Sequence, residues 1–521
     1  MSSSMDQPTP ARTVGLFLLL QVGLMLMAIS HESFWIDEFW NAYFASLKSV
    51  KQLYEGLSEP YGSQTPLHFI YGYFWGILFP QSELGFRLSN LPLFVMGQAS
   101  LFWALRPYPK PLMYWFLGLC ALHPMVWQYA NEFRPYIMIY AGSEMILAYI
   151  LHLHTTIYNG AHFSPIAPII LVVGSILLFG ASLLGVFWVI IASLYIGCLH
   201  YLYPDWCYLK KRLTVLLACA FFVINGLLAL YYVNSLLQGG GASRLASTTL
   251  TTLLFDAYEL LGLSGLGPGR LELRDTGFAA LNPYWMGLAC GGLIILGTLA
   301  KSVRDARIIL GTRRLGVMFA LSISPIVIII ASGFIMHWRV LGRHMIATLP
   351  LLNLLIALAL TKLCEVKEGR GWLLRRMVAM GFLLIFVYSS LSLRFAERHR
   401  KDDYRAATAA ASQELMAGKR VWWAADALGA RYYNLPGEFD YMGELTNVHR
   451  TYDCIDRSGV QAVSGASANC LDQLAPPDMV ILSKPDTFDR DGVISSYLKA
   501  RNYVAVRELP AFTILQPSRG K

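Results

Sequence analysis

The side chains with the clearest capacity for chemistry are two adjacent carboxylates, Asp37 and Glu38, in the stretch His31-Glu32-Ser33-Phe34-Trp35-Ile36-Asp37-Glu38-Phe39-Trp40. The stretch follows an apolar run, Thr13–Ser30, without a linker. Carboxylates placed where a helix leaves hydrocarbon are costly and mark function more often than structure. The alternative is a solvated loop acid beside an aromatic belt. One member of such a pair can take a proton from a hydroxyl while the other orients the reactant or adjusts its partner's pKa.

Basic groups recur in other stretches that flank apolar runs. Glu132 and Arg134 lie in Asn131-Glu132-Phe133-Arg134-Pro135-Tyr136, and Arg339, Arg343 and His344 lie in the HWRVLGRHM stretch. A guanidinium stays charged and offers a planar fork of donors, which suits a phosphate. The alternatives are headgroup snorkelling for Arg339 and Arg343 and a local ion pair for Glu132 with Arg134. Trp35, Glu132 and His68 complete the set as candidate substrate contacts. The histidines are scattered and no metal-ligand spacing occurs, so a divalent metal is not supported. Gly239-Gly240-Gly241 follows no strand pattern, so nucleotide binding is unsupported too.

These groups need elements to hold them. The chain has 521 residues, of which 55% are hydrophobic and only 14% charged. Soluble domains carry roughly 25% charged residues, so the composition is that of a polytopic membrane protein. The net charge of +9 fits basic cytoplasmic loops and calls for no nucleic-acid partner. About eleven spans are expected: Thr13–Ser30, Leu88–Leu105, Leu112–Tyr129, Ile137–Leu153, Pro165–Gly180, Leu183–Tyr203, Leu213–Val233, Tyr284–Ala300, Leu315–Phe334, Met345–Thr361 and Val378–Leu393. Phe39–Tyr54 and Pro66–Pro80 are aromatic and short, and read as interfacial helices. With a cytoplasmic N-terminus, the clusters Arg106–Lys110, Lys210–Arg212, Lys301–Arg314 and Lys362–Arg376 all fall inside, as the positive-inside rule requires. Asp37, Glu38, Arg134, Arg343 and the C-terminus then share the outer face. Asn234–Pro283, rich in Gly, Ser and Thr near its start, reads as a long mobile loop, either a lid or a plain connector.

From about Arg394 the composition becomes that of a soluble domain. Helices are expected over Asp402–Met416 and Gly492–Ala500, with strands over Arg420–Ala424, Asp478–Ser483, Tyr503–Arg507 and Ala511–Gln516. The chain therefore divides into a membrane domain, 1–393, and a small extracytoplasmic α/β domain, 394–521. Of eight cysteines, only Cys454 and Cys470 fall on the oxidising side, which makes them a candidate disulfide.

Taken together these motifs resemble the bacterial members of the GT-C glycosyltransferase superfamily, nearest to protein O-mannosyltransferases and lipid A aminoarabinose transferases. The matching residues are Trp35-Ile36-Asp37-Glu38, Thr65-Pro66-Leu67-His68, Ser82-Glu83, Arg87–Pro92, His123-Pro124, Tyr129–Tyr136, Arg343-His344, Pro350 and Asp402–Ala407. The likeness covers most of the chain. Many relatives have His-Pro-Pro where this chain has Gln64-Thr65-Pro66, so no role passes to His68 from it.

The resemblance implies an inverting transferase of the inner membrane. It would move a monosaccharide from a polyprenyl-phosphate carrier to a hydroxyl of a lipid such as lipid A, a glycan or a protein. Asp37 would be the base, Glu38 its support, and Arg134, Arg339, Arg343 and His344 the phosphate site. The competing readings are a flippase of lipid-linked sugar, for which repeated halves would be expected, and a polysaccharide polymerase or ligase.

Overall fold

The computed structural model describes residues 11–58, 65–160, 162–203, 212–238, 247–310, 312–365, 372–437 and 459–518. The chain forms two compact units. One comprises residues 1–30, 48–79 and 85–399; the other comprises 31–47, 80–84 and 400–521. Asp37 and Glu38 therefore belong to the unit built mainly from the C-terminal part of the chain, not to the membrane domain in which the sequence placed them.

The first unit is helical, and among its described residues fewer helices than the expected eleven are long and apolar enough to cross a membrane. By length and composition five can cross a membrane, or six if the bent pair Arg270–Leu281 and Trp285–Lys301, which meets at 84°, counts as one. The others are shorter: Gly15–Ala28, Lys110–Leu122, Ile166–Ala181, Gly185–Leu199 and Ile323–Ile335. Apolar content on every side is what a helix needs whether it meets lipid or other helices. Burial separates the two cases. The Tyr136–Tyr158 span is 94% buried inside the protein, and Val215–Leu237 is only 11% buried. The first is the hub of the bundle; the second turns its apolar surface outward.

A chain of amides ties the hub to its neighbours. Gln21 Nε2 donates to Gln98 Oε1 (2.6 Å) and to the Leu117 carbonyl (2.9 Å), and Gln98 Nε2 donates to Glu144 Oε1 (2.5 Å). Buried polar groups with such partners fix helix rotation, because every alternative strands a donor in an apolar medium.

Two sequence expectations change. The Phe39–Tyr54 pattern is two helices, Ile36–Ala45 and Val50–Ser58. The break has a local cause: Ser49 Oγ accepts from the Gln52 amide (3.2 Å), and Gln52 Oε1 accepts from the Lys48 amide (3.0 Å), which starts a new helix. The stretch Asn234–Pro283 is not a plain loop. Residues 239–246 lie outside the described residues, but Leu250–Leu260 and Arg270–Thr276 are helices and Gly277–Tyr284 is a 3₁₀ turn. Their connection packs closely: the Gly265 amide donates to Ser389 Oγ (3.0 Å), and Arg398 donates to the carbonyls of Gly265 and Gly267 (3.0 Å each).

The second unit contains a five-stranded sheet, β1 (Val421–Ala424), β2 (Val460–Ala462), β3 (Met479–Ser483), β4 (Tyr503–Leu509) and β5 (Phe512–Pro517), in the order β2-β1-β3-β5-β4. β1 runs parallel to β2 and β3; β5 is antiparallel to β3 and β4. β1 and β3 are buried throughout, as central parallel strands covered on both faces must be. Alternation sends neighbouring tryptophans to opposite faces. Trp422 meets Tyr497 (5.0 Å between rings), and Trp423 meets Phe512 (6.2 Å) and Tyr404 (6.4 Å). The expected helices and strands are present; β2 was not foreseen.

The hub's packing is testable at Gly142. A Cβ there would stand 2.7 Å from the Gly174 carbonyl oxygen and 2.8 Å from the Leu178 amide nitrogen. Gly142→Val should force the Tyr136–Asn159 and Ile166–Ala181 helices apart, at about 1–3 kcal/mol, and lower the Tm of the purified protein. An unchanged Tm would contradict this close approach.

Candidate active site

The acidic pair opens the Ile36–Ala45 helix, where carboxylates complement the unsatisfied amides and the dipole. The two residues have different surroundings. Asp37 is half-buried, and its backbone carbonyl accepts from Asn41 Nδ2 (3.0 Å). Glu38 has no exposure and faces Lys401, whose Nζ lies 2.9 Å from Oε2. The same oxygen accepts a longer hydrogen bond from the Trp35 amide, 3.5 Å. Lys401 was not singled out from sequence; the one available signal was a basic residue directly before Asp402-Asp403-Tyr404.

Further charges lie in this unit. Lys484 pairs with Asp402, both nearly buried. Asp426 caps the Ala427–Tyr432 helix, accepting from the Gly429 amide (3.2 Å). Burial, with some help from the Asp37 charge, pushes the Asp426 carboxyl up to about 6 against its two helix amides and Lys484.

In the first unit the arginines gather on two tyrosines. Tyr129 and Tyr136 have ring centroids 4.5 Å apart. The guanidinium carbons of Arg134 and Arg343 lie 5.5 and 5.8 Å from the Tyr136 ring centroid, and Arg134 Nη2 donates to the Tyr136 hydroxyl (3.1 Å). Cation–π attraction to one ring thus brings together two groups that repel each other. An anion between them would be favoured.

Glu132 does not depend on a sequence-local partner. Its Oε1 takes Arg270 Nη1 at 3.3 Å, while Arg270 Nη2 reaches Glu259 (3.7 Å) and the Tyr129 hydroxyl (3.2 Å). Arg270, Glu259 and Asp256 come from the stretch read as a loop. Their signal was the apolar spacing of Leu250, Leu253, Leu254 and Ala257, with Asp256 and Glu259 three residues apart. Burial, with Glu259 beside it, pushes the Asp256 carboxyl up to about 7, against the pull of the Gly342 amide, Arg339 and Arg343. Burial likewise raises Glu259.

The remaining candidates are placed as follows. His344 accepts from the Leu341 amide through Nδ1 (3.1 Å), and its ring is 5.3 Å from that of Trp338. Arg339 is exposed. His68 is buried with its ring 5.2 Å from Phe133. Cys470 is disulfide-bonded, and Cys454 lies outside the described residues. Among the described residues no three His, Cys, Asp or Glu side chains form a metal-binding group.

A helical bundle of apolar spans and a small α/β unit that carries Asp37 and Glu38 make up a fold that solved structures share. ArnT from Cupriavidus metallidurans in the apo state is similar, with a TM-score of 0.53 at 14% identity over 97% of this chain and 98% of that one. The same protein bound to undecaprenyl phosphate gives 0.50 at 14% identity over the same shares. At this identity the fold is what is shared. The sequence matches no protein-family model and no curated protein.

Two outcomes follow from the charges. Lys401→Met removes the ammonium opposite a carboxylate that has no exposure, a change that costs about 3–5 kcal/mol. Its Tm should fall well below wild type, and Glu38→Gln in the same chain should recover most of the loss. For Asp256, the folded pKa of about 7 stands above the ordinary 3.8. Its protonated form therefore favours folding: that contribution is complete below about pH 4 and is lost as pH rises through about 7. Tm measured from pH 5 to pH 8 should fall less steeply in Asp256→Asn than in wild type.

Proposed function

We propose that this protein is a membrane glycosyltransferase that takes a monosaccharide from a polyprenyl-phosphate donor and passes it, with inversion, to an acceptor hydroxyl on the outer face of the bacterial inner membrane. The observation that carries the reading is the convergence of Arg134 and Arg343 on Tyr136. The ArnT structure with undecaprenyl phosphate supports it, because a protein of the same fold holds that lipid.

The proposed chemistry is balanced by few groups. The acceptor oxygen bonds to the anomeric carbon as the bond from that carbon to the phosphate oxygen breaks. The electron pair leaves with the polyprenyl phosphate, and the acceptor proton passes to Asp37. Asp37 is favoured over Glu38 as the base because Glu38 is fully buried against Lys401, whereas Asp37 is half-exposed. Glu38, paired with Lys401, fixes the first turn of the helix that presents Asp37. The departing phosphate needs positive charge rather than a proton, and preorganised guanidiniums stabilise developing charge without reorganising. Arg134 and Arg343 fill that role; Arg339 and His344 flank it. Arg270 is occupied by Glu132 and Glu259 and is a positioning residue.

Asp37→Asn should keep undecaprenyl phosphate binding and lower transfer by about 10²–10⁴-fold. Arg134→Ala with Arg343→Ala should weaken undecaprenyl phosphate binding by the purified protein. The checks are a glycan profile of complemented deletion cells and a direct lipid-binding assay. Wild-type transfer by Asp37→Asn would remove it from the mechanism. Wild-type binding by the double variant would remove the clamp.

A further inference from the structure

Beside the acidic helix, within the second unit, lies an open cleft of about 510 Å³. One wall is the Ile36–Ala45 helix, through Phe39, Ala42 and Tyr43; another is the Tyr432-Tyr433 pair; a third is the short run Gln81-Ser82-Glu83. The transfer chemistry proposed above uses none of these residues. Aromatic rings pack around one another here: Phe39 lies 5.7 Å from Tyr432 and 6.0 Å from Tyr433, and the two tyrosines lie 5.0 Å apart. Tyr43 and Tyr432 are half-exposed, and Arg431 is exposed at the rim.

The polar side of the cleft is built rather than incidental. Glu83 Oε1 accepts from the Tyr433 hydroxyl (2.7 Å) and pairs with Arg405. Arg405 also donates to the His31 carbonyl (2.8 Å), and the Tyr433 hydroxyl lies 3.0 Å from Ser33 Oγ. Glu83 is thus held by two partners, Arg405 and Tyr433, which are themselves tied to His31 and Ser33. Preorganised polar groups of this kind lose little entropy on binding a ligand.

A sugar ring matches both sides. It offers a flat C–H face, which suits an aromatic ring, and hydroxyls on adjacent carbons, which suit the paired atoms of a carboxylate or guanidinium. A mostly apolar pocket with a few fixed polar groups is the usual form of a small-ligand site. The position fits as well. At about 1.5 Å per residue, Tyr43 stands about 9 Å along the helix from Asp37.

We infer that this cleft, between Tyr43, Tyr432 and the Glu83–Arg405 pair, is a saccharide-binding subsite that holds a sugar of the acceptor. The acceptor is then a glycan or glycolipid, not a serine or threonine of a protein. This inference rests on the glycosyltransferase reading.

The test uses the full chain in deletion cells complemented with wild type, Tyr43→Ala, Arg431→Ala or Tyr43→Trp, with envelope glycans and glycoproteins profiled by mass spectrometry. The transferred sugar is expected on an existing saccharide. Tyr43→Ala and Arg431→Ala should each reduce transfer about tenfold or more, as expected for the loss of one charge-assisted hydrogen bond or an equivalent contact. Tyr43→Trp keeps the aromatic face and should restore transfer. The purified alanine variants should bind undecaprenyl phosphate as wild type does, which separates a lost subsite from a lost fold. Transfer to a protein hydroxyl, or wild-type transfer by both alanine variants, overturns the inference. Wild-type transfer by Asp37→Asn would instead overturn the catalytic reading beneath it.

Discussion

The contact between Glu38 and Lys401 is the constraint on which the acidic site depends. A carboxylate with no access to water is stable only when a cation and hydrogen-bond donors face it. Lys401 supplies the cation, from a residue that follows almost the whole membrane domain in sequence. The pair therefore makes the first turn of the Ile36–Ala45 helix part of the same compact unit as the C-terminal sheet. Aromatic packing reinforces the join: Phe39 meets Tyr404 at 4.9 Å and Tyr432 at 5.7 Å. With Glu38 committed in this way, Asp37 is the carboxylate left with exposure.

The arginine cluster obeys the same electrostatics with a different solution. Three guanidiniums, of Arg270, Arg339 and Arg343, lie among three acids, Glu132, Asp256 and Glu259, and Arg134 joins Arg343 on the Tyr136 ring. The tilted Tyr129–Tyr136 pair lets the cations approach one another, since the face of each ring is electron-rich. Arg270 is neutralised by two carboxylates. Arg134 and Arg343 share the Tyr136 ring.

The bundle around them depends on close helix contact. Gly142 and Gly174 let two helix backbones touch, and the Gln21–Gln98–Glu144 chain fixes the rotation of the Tyr136–Asn159 helix against the Ala11–Ala28 and Asn90–Leu105 helices. In hydrocarbon there is no hydrophobic drive to hold helices together, so small residues and internal hydrogen bonds take its place. The hub that results is the Tyr136–Asn159 helix, whose N-terminal residue is the tyrosine on which the arginines converge.

By itself the sequence determined the solvent and the mainly helical architecture. Long apolar runs, basic loops between them and a charged α/β tail can be read one residue at a time, because transfer free energy and strand alternation are local properties. Asp37, Glu38, Arg134 and Arg343 become candidates for the same reason: a charge beside an apolar run stands out. Only the tertiary structure decided the partners. Lys401 for Glu38, Arg270 for Glu132, and Glu83 with Arg405 and Tyr433 are separated by dozens to hundreds of positions, and nothing in local spacing pairs them. The stretch from Asn234 to Pro283 was misread because its Gly, Ser and Thr content favours a loop, whereas packing of Gly265 against Ser389 and the hydrogen bonds of Arg398 hold it in place. Composition reports what each residue prefers in isolation; a buried charge is satisfied only by what the fold brings to it.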